Sequence, residues 1–188
     1  FPQNLSPVQE QQLEVMGETY YEHRKQWMLR MQLGLTKTYN LFHSHAITAN
    51  RVDNKDKTVQ HLVKHLDRDT NTISLEEAVA GIIKLRELHV KIDNVILEAY
   101  GWQDVALNHD FYEVDYLPEN DRIRYTFSPE VRKEILKRLL ELNHKIHEQE
   151  EKDGLLGKTK KGSKAKRKND FPGQSIFQLN SMVIHLKV

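Results

Sequence analysis

The chain has 188 residues, with 28 Lys and Arg against 27 Asp and Glu, and no cysteine. That excludes disulfides and thiolate metal sites and fits a reducing compartment. The length suits one domain, or one domain with tails.

No segment approaches the roughly 20 apolar residues that a membrane span needs, and no charged-then-apolar leader is present. The expected setting is the cytoplasm, with no membrane partner. The chain opens at Phe1 without an initiator Met, so it reads as a fragment of a larger protein.

Ser6-Pro7 starts the first helix: Ser as N-cap, Pro at the first helical position and Gln9 in the capping-box place. Leu13, Met16, Tyr20, Trp27 and Met31 mark one face of it through to Leu33, and Gly34 is expected to end it. The next stretch, LGLTKTYNLFH (33–43), is the most distinctive. Thr36 and Thr38 are poor helix-interior residues, which suggests a tight connection between helices. The other reading takes Lys37, Tyr39 and Asn40 as a polar set suited to a phosphate or a base edge.

Residues 44–71 read as a long polar connection holding a helical turn or two at Val59, Leu62, Val63 and Leu66. Asp67, Asp69 and Asn71 imitate the first ligands of a calcium loop. However, Thr72 stands where the turn glycine belongs and Ala78 where the closing Glu belongs, so the run reads as a helix start.

Ser74 with Glu77 opens the central helix as a second capping box. Ala78, Ile82, Leu85, His89, Ile92, Ile96 and Ala99 follow at steps of four and three on one stripe, which Val79, Leu88 and Val95 widen. So broad a face requires partner helices. Gly101 ends the helix, and Trp102 folds back as a cap.

The period then changes to two. Residues 111–117 and 122–127 are expected to pair as a β-hairpin across Pro118 to Asp121. Tyr112, Val114 and Tyr116 would share one face with Ile123, Tyr125 and Phe127. Arg122 and Arg124 would lie on the other, beside Glu113 and Asp115. Cross-strand ion pairing is one explanation of those charges; contact with nucleic acid is the second. Ser128-Pro129 starts a third long helix with a stripe at Val131, Ile135, Leu139, Leu142 and Ile146. Gly154 and Gly157 close it. The run KTKKGSKAKRK (158–168) is basic and low in complexity, a composition expected to be disordered and to attract polyanions.

Motifs for catalysis are missing. No Walker or dinucleotide glycine loop, His-Glu-x-x-His helix or Gly-x-Ser-x-Gly elbow occurs. The histidines come in dispersed pairs. His61 and His65 have the spacing for a metal on a helix but lack an evident third ligand, and His89 reads as a hydrogen-bonded core residue. No catalytic, cofactor-binding or metal-ligating residue is assigned.

Four stretches carry a resemblance: the opening FPQ, LGLTKTYNLFH (33–43), LRELHVKIDNVILEAYGW (85–102) and residues 109–150. Together they resemble the C-terminal region of large adenine-specific DNA methyltransferases of restriction–modification systems, including methylase–endonuclease fusions. The resemblance implies a parent enzyme that uses S-adenosylmethionine. It also implies duplex DNA and the parent's other domains as partners. That family's Asn-Pro-Pro-Tyr motif is absent, since Pro2, Pro7, Pro118, Pro129 and Pro172 are all isolated, and so is its cofactor glycine motif. The fragment alone is expected neither to methylate DNA nor to bind the cofactor.

The expected fold is mainly α: three long packed helices, one hairpin between the second and third, and a disordered basic tail. A helical domain would span 1–157, and a basic linker with a C-terminal tail 158–188. The expected role is to support target recognition, with Lys37, Tyr39 and Asn40, then Arg122 and Arg124, as candidate DNA contacts. The rival is a helical protein-interaction module with no nucleic-acid role.

Overall fold

A computed structural model describes residues 2, 5–68 and 73–153. It is mainly helical. Five helices and four short strands follow in the order α1 (Pro7–Met31), α2 (Leu35–Phe42), β1 (Ile47–Thr48), β2 (Arg51–Val52), α3 (Lys57–Leu66), α4 (Leu75–Ala99), β3 (Asp110–Glu113), β4 (Ile123–Thr126) and α5 (Pro129–Lys152). The chain divides into two units, Phe1–Ile135 and Leu136–Val188. The basic run and tail lie outside the described residues, as do positions 69–72 of the calcium-like stretch.

Both capping boxes form. The Ser6 hydroxyl accepts from the Gln9 amide while Gln9 reaches back to the Ser6 N–H, and Ser74 and Glu77 do the same for α4. These bonds satisfy amides that a helix start otherwise leaves unpaired. Ser74→Ala therefore lowers stability by about 1 kcal/mol in urea unfolding, whereas Ser74→Asp restores it.

The end of α4 closes as expected. Gly101 takes a left-handed φ of 72°. The Trp102 amide donates to Leu97 O (2.9 Å) and the Gly101 amide to Glu98 O (3.0 Å). The Trp102 ring stacks on Tyr100 with centroids 4.7 Å apart. The end of α1 differs from expectation. It stops at Met31, and a left-handed Gln32 (φ 52°) closes it. The Leu33 amide bonds Met28 O, and a ring nitrogen of His65 lies 2.6 Å from Met31 O. Gly34 instead becomes the N-cap of α2.

Helices α1 and α4 form the frame of the first unit. Leu13, Tyr20, Trp27 and Met31 on α1 are buried, as are Ala78, Ile82, Leu85, Leu88, Ile92 and Leu97 on α4. The indole N–H of Trp27 donates to Ala78 O (3.2 Å), and a ring nitrogen of His23 lies 2.9 Å from Gly81 O.

The region 44–66 is more structured than expected. Asp56 caps α3 through the amides of Thr58 and Val59 (2.8 and 3.2 Å). Ile47, Val59 and Leu62 join Trp27, Met31, Leu41, Ala78 and Ile82 in the core. The small β1–β2 pairing sets Ile47 opposite Val52.

The 110–126 hairpin forms, but its register and length correct the expected ones. Phe111, not Tyr112, pairs with Tyr125, and Tyr112 faces Arg124. The strands are short, and a single 3-10 turn, Glu119–Asp121, lies within the connection. A shift of one residue moves every side chain to the opposite face. Aromatics at both 111 and 112 leave the alternation ambiguous. A buried cation, described next, marks the face that Phe111 takes.

Candidate nucleic-acid face

Helix α2 carries three of the five candidate DNA contacts. The polar connection suggested by its threonines does not form: Thr38 is fully buried, and its hydroxyl donates to Gly34 O (3.0 Å), which satisfies it inside the helix. Lys37 and Asn40 are exposed. Tyr39 is half-buried. Its hydroxyl accepts from the Arg24 guanidinium (3.0 Å) and lies 3.2 Å from the Tyr20 hydroxyl. Burial, followed by the neighbouring Tyr39, pushes the Tyr20 phenol far up, so it stays protonated and able to donate. Tyr39 thus fastens α2 to α1 while Lys37 and Asn40 face water.

The far end of α2 is held by Arg86 of α4, which is only 4% exposed. Its Nε donates to Phe42 O (2.8 Å). One terminal nitrogen donates to Leu41 O (3.1 Å) and Ser44 O (2.9 Å), and the other donates to Ile47 O. A cation at the C-terminal carbonyls of a helix also opposes the helix dipole favourably. The guanidinium lies over the rings of Phe111 (4.9 Å), Tyr125 (5.2 Å) and Phe42 (5.9 Å). Burial pulls its pKa down to about 10, with Tyr125 opposing, so it remains charged at neutral pH. Burial likewise raises the Tyr125 phenol, against the Arg86 charge. The Tyr125 amide completes the join by donating to Nδ1 of His43 (3.2 Å).

Arg122 and Arg124 sit elsewhere, on the hairpin. Arg122 lies 3.6 Å from Glu113 and donates to Leu117 O, while Arg124 lies 3.7 Å from Asp121. The structure therefore groups Lys37 and Asn40 among the exposed residues of one helix and leaves the two arginines beside local carboxylates.

A second polar cluster has only a partial trace in the sequence. His89 and Asp93 lie one turn apart on α4, and His109 precedes β3. Nε2 of His109 is 2.7 Å from Oδ2 of Asp93, and Nε2 of His89 is 3.6 Å from the same oxygen. The i,i+4 spacing of His89 and Asp93 was a signal that could have found the first two. Nothing local points to His109.

Gly17 and Gly81 are inside helices, Gly34 caps one and Gly101 ends one, so none follows a strand. None of the described helices is long and apolar enough to cross a membrane. No family model, curated protein or solved structure matches the chain.

Proposed function

We propose that this chain is a C-terminal accessory region of a restriction–modification DNA methyltransferase, working in the cytoplasm. It would brace the parent's target-recognition part and touch duplex DNA through α2. The observation that carries the proposal is the division of labour on α2. Tyr39 fixes the helix to α1, the buried Thr38 is satisfied within α2, Arg86 clamps its last carbonyls, and Lys37 and Asn40 are presented to solvent. A lysine meets a phosphate as a point charge, and an asparagine can bond a backbone oxygen or a base edge. Holding both on a clamped helix reduces the ordering cost of contact. Tyr39, engaged through its hydroxyl, serves here as the anchor. The ion-paired Arg122 and Arg124 are secondary contacts. The methyl donor and the chemistry belong to other parts of the parent, as does any nuclease.

The test is fluorescence anisotropy of the full chain on a duplex. The variant Lys37→Ala with Asn40→Ala should weaken binding at least 10-fold with the helical circular dichroism unchanged. Equal binding by the variant and the parent chain would remove α2 from the contact surface. Salt-insensitive capture of a protein partner, with no DNA binding, would favour the interaction-module reading.

A further inference from the structure

We infer that His89, Asp93 and His109 form a binding site for a first-row divalent transition-metal ion, with zinc as the reference ion. The inference rests on the geometry of the three side chains and is independent of any role in DNA binding.

The three residues each offer one ligand atom, and these atoms all lie within 4.8 Å of one another. Both imidazoles direct Nε2 towards the same oxygen, Oδ2 of Asp93. His109 stands at hydrogen-bond distance from that oxygen, and His89 stands just beyond it. Two ring nitrogens and a carboxylate converging on one point form the donor set that zinc sites use. Around a tetrahedral ion with bonds of about 2.0–2.1 Å, neighbouring ligand atoms sit about 3.3 Å apart. The contact at 2.7 Å opens by about 0.6 Å to reach that spacing, and the one at 3.6 Å closes by about 0.3 Å. The two ring nitrogens, within 4.8 Å of each other, have to meet the same spacing around the ion.

The surroundings support the same reading. The side chains of His89, Asp93 and His109 are 19%, 15% and 4% exposed. Tyr20 and Phe42 flank the His89 ring at 6.1 and 5.4 Å, and Tyr125 and Phe127 flank the His109 ring, each at 6.1 Å. An aromatic wall of this kind limits water access and lowers the local dielectric. The donor chemistry narrows the ion. Imidazole with carboxylate suits zinc, copper, iron or nickel, whereas magnesium and calcium take oxygen ligands. Three protein ligands leave a fourth position for water or an anionic group.

The site joins two elements. His89 and Asp93 belong to α4, and His109 is the residue before β3. A bound ion therefore clips the entry of the hairpin to the central helix, and its binding energy adds to the stability of that join.

The experiment is a zinc titration of the full chain, stripped with a chelator, in competition with a chromophoric indicator. Uptake of about one equivalent and a rise in the melting midpoint are expected. Asp93→Asn keeps an oxygen that can accept from His109 and so preserves the local hydrogen bond. It should weaken zinc binding at least 10-fold, as should His89→Gln. The double variants His61→Gln/His65→Gln and His144→Gln/His147→Gln should bind zinc as the parent chain does. A second readout needs no variant: nitrogen NMR of the imidazoles should show the Nε2 signals of His89 and His109 shifting together on zinc addition. No uptake by the stripped chain would overturn the assignment. So would unchanged uptake in both ligand variants, or its loss in either control pair.

Discussion

Replacing Arg86 with Met should cost about 3–5 kcal/mol of unfolding free energy, the largest loss expected from any single change discussed for this chain. The Arg86 guanidinium donates to the carbonyls of Leu41, Phe42, Ser44 and Ile47, and it lies over the rings of Phe111 and Tyr125. Methionine fills much of the same volume but donates nothing, so the carbonyls of Phe42 and Ile47 lose the Arg86 donor, while those of Leu41 and Ser44 still accept from the Ser44 and Ile47 amides. A buried acceptor left unpaired costs about 1–3 kcal/mol, and structural relaxation recovers part of the total. Lysine keeps the charge but not the planar fork, so Arg86→Lys should recover less than half of the loss. Urea unfolding followed by circular dichroism measures both variants. A loss below about 1 kcal/mol for Arg86→Met would mean that the carbonyls find other donors and that the clamp on α2 is dispensable.

Gly81→Ala should destabilise the chain by about 2 kcal/mol, against the usual sign of a glycine-to-alanine change inside a helix. Helix propensity alone predicts a gain of about 1 kcal/mol. The indole of Trp27, however, occupies the space that a Cβ on Gly81 would take, meeting it at Cδ1 and Nε1. The same indole donates to Ala78 O, so displacing the ring also breaks a buried hydrogen bond. Overpacking a core costs about 1–3 kcal/mol, and the broken bond adds about 1 kcal/mol, which together outweigh the propensity gain. Thermal unfolding monitored by tryptophan fluorescence should show a lower midpoint and a changed native emission. Pairing the substitution with Trp27→Leu should relieve the clash, so that the two changes together cost less than their sum. A stabilised Gly81→Ala chain would show that α1 and α4 do not approach each other at this glycine.

Much of the frame could be read from residues whose effects are local. The capping boxes at Ser6 and Ser74 are set by neighbours three positions away, and both form. The ends that glycine governs are partly local: Gly101 closes α4, but α1 closes on Gln32, where amide bonds to Met28 and Leu29 support a left-handed residue other than glycine. The stripe on α4 is buried at Ala78, Ile82, Leu85 and Ile92, as its spacing required.

Features that depend on distant partners were not legible. Within residues 44–66 the pattern at Val59, Leu62, Val63 and Leu66 marked the helical turns that form as α3, but not their place in the core. Ile47, Val59 and Leu62 gain a core only when the ends of α1 and α4 meet them. Arg86, between Leu85 and Glu87 in sequence, reads as a solvated charge until the carbonyls of residues 41–47 surround it. The hairpin register slipped by one for the same reason, since the face taken by Phe111 and Tyr125 is the one that meets Arg86. On α2 the sequence marked the polar set. Only the structure separates the Tyr39 hydroxyl, bonded to α1, from the exposed Lys37 and Asn40.

The proposed DNA contact is tested most directly by the salt dependence of duplex binding. The full chain would be compared with a variant in which every Lys and Arg between 158 and 168 is replaced by Gln. Each phosphate neutralised by a cation contributes about 0.9 to the slope of log affinity against log salt concentration. If α2 forms a contact surface, binding survives removal of the basic run, and adding Lys37→Ala then lowers the remaining slope by about 1. If all binding disappears with the basic run, the DNA affinity belongs to that run alone and the proposed role for α2 is contradicted.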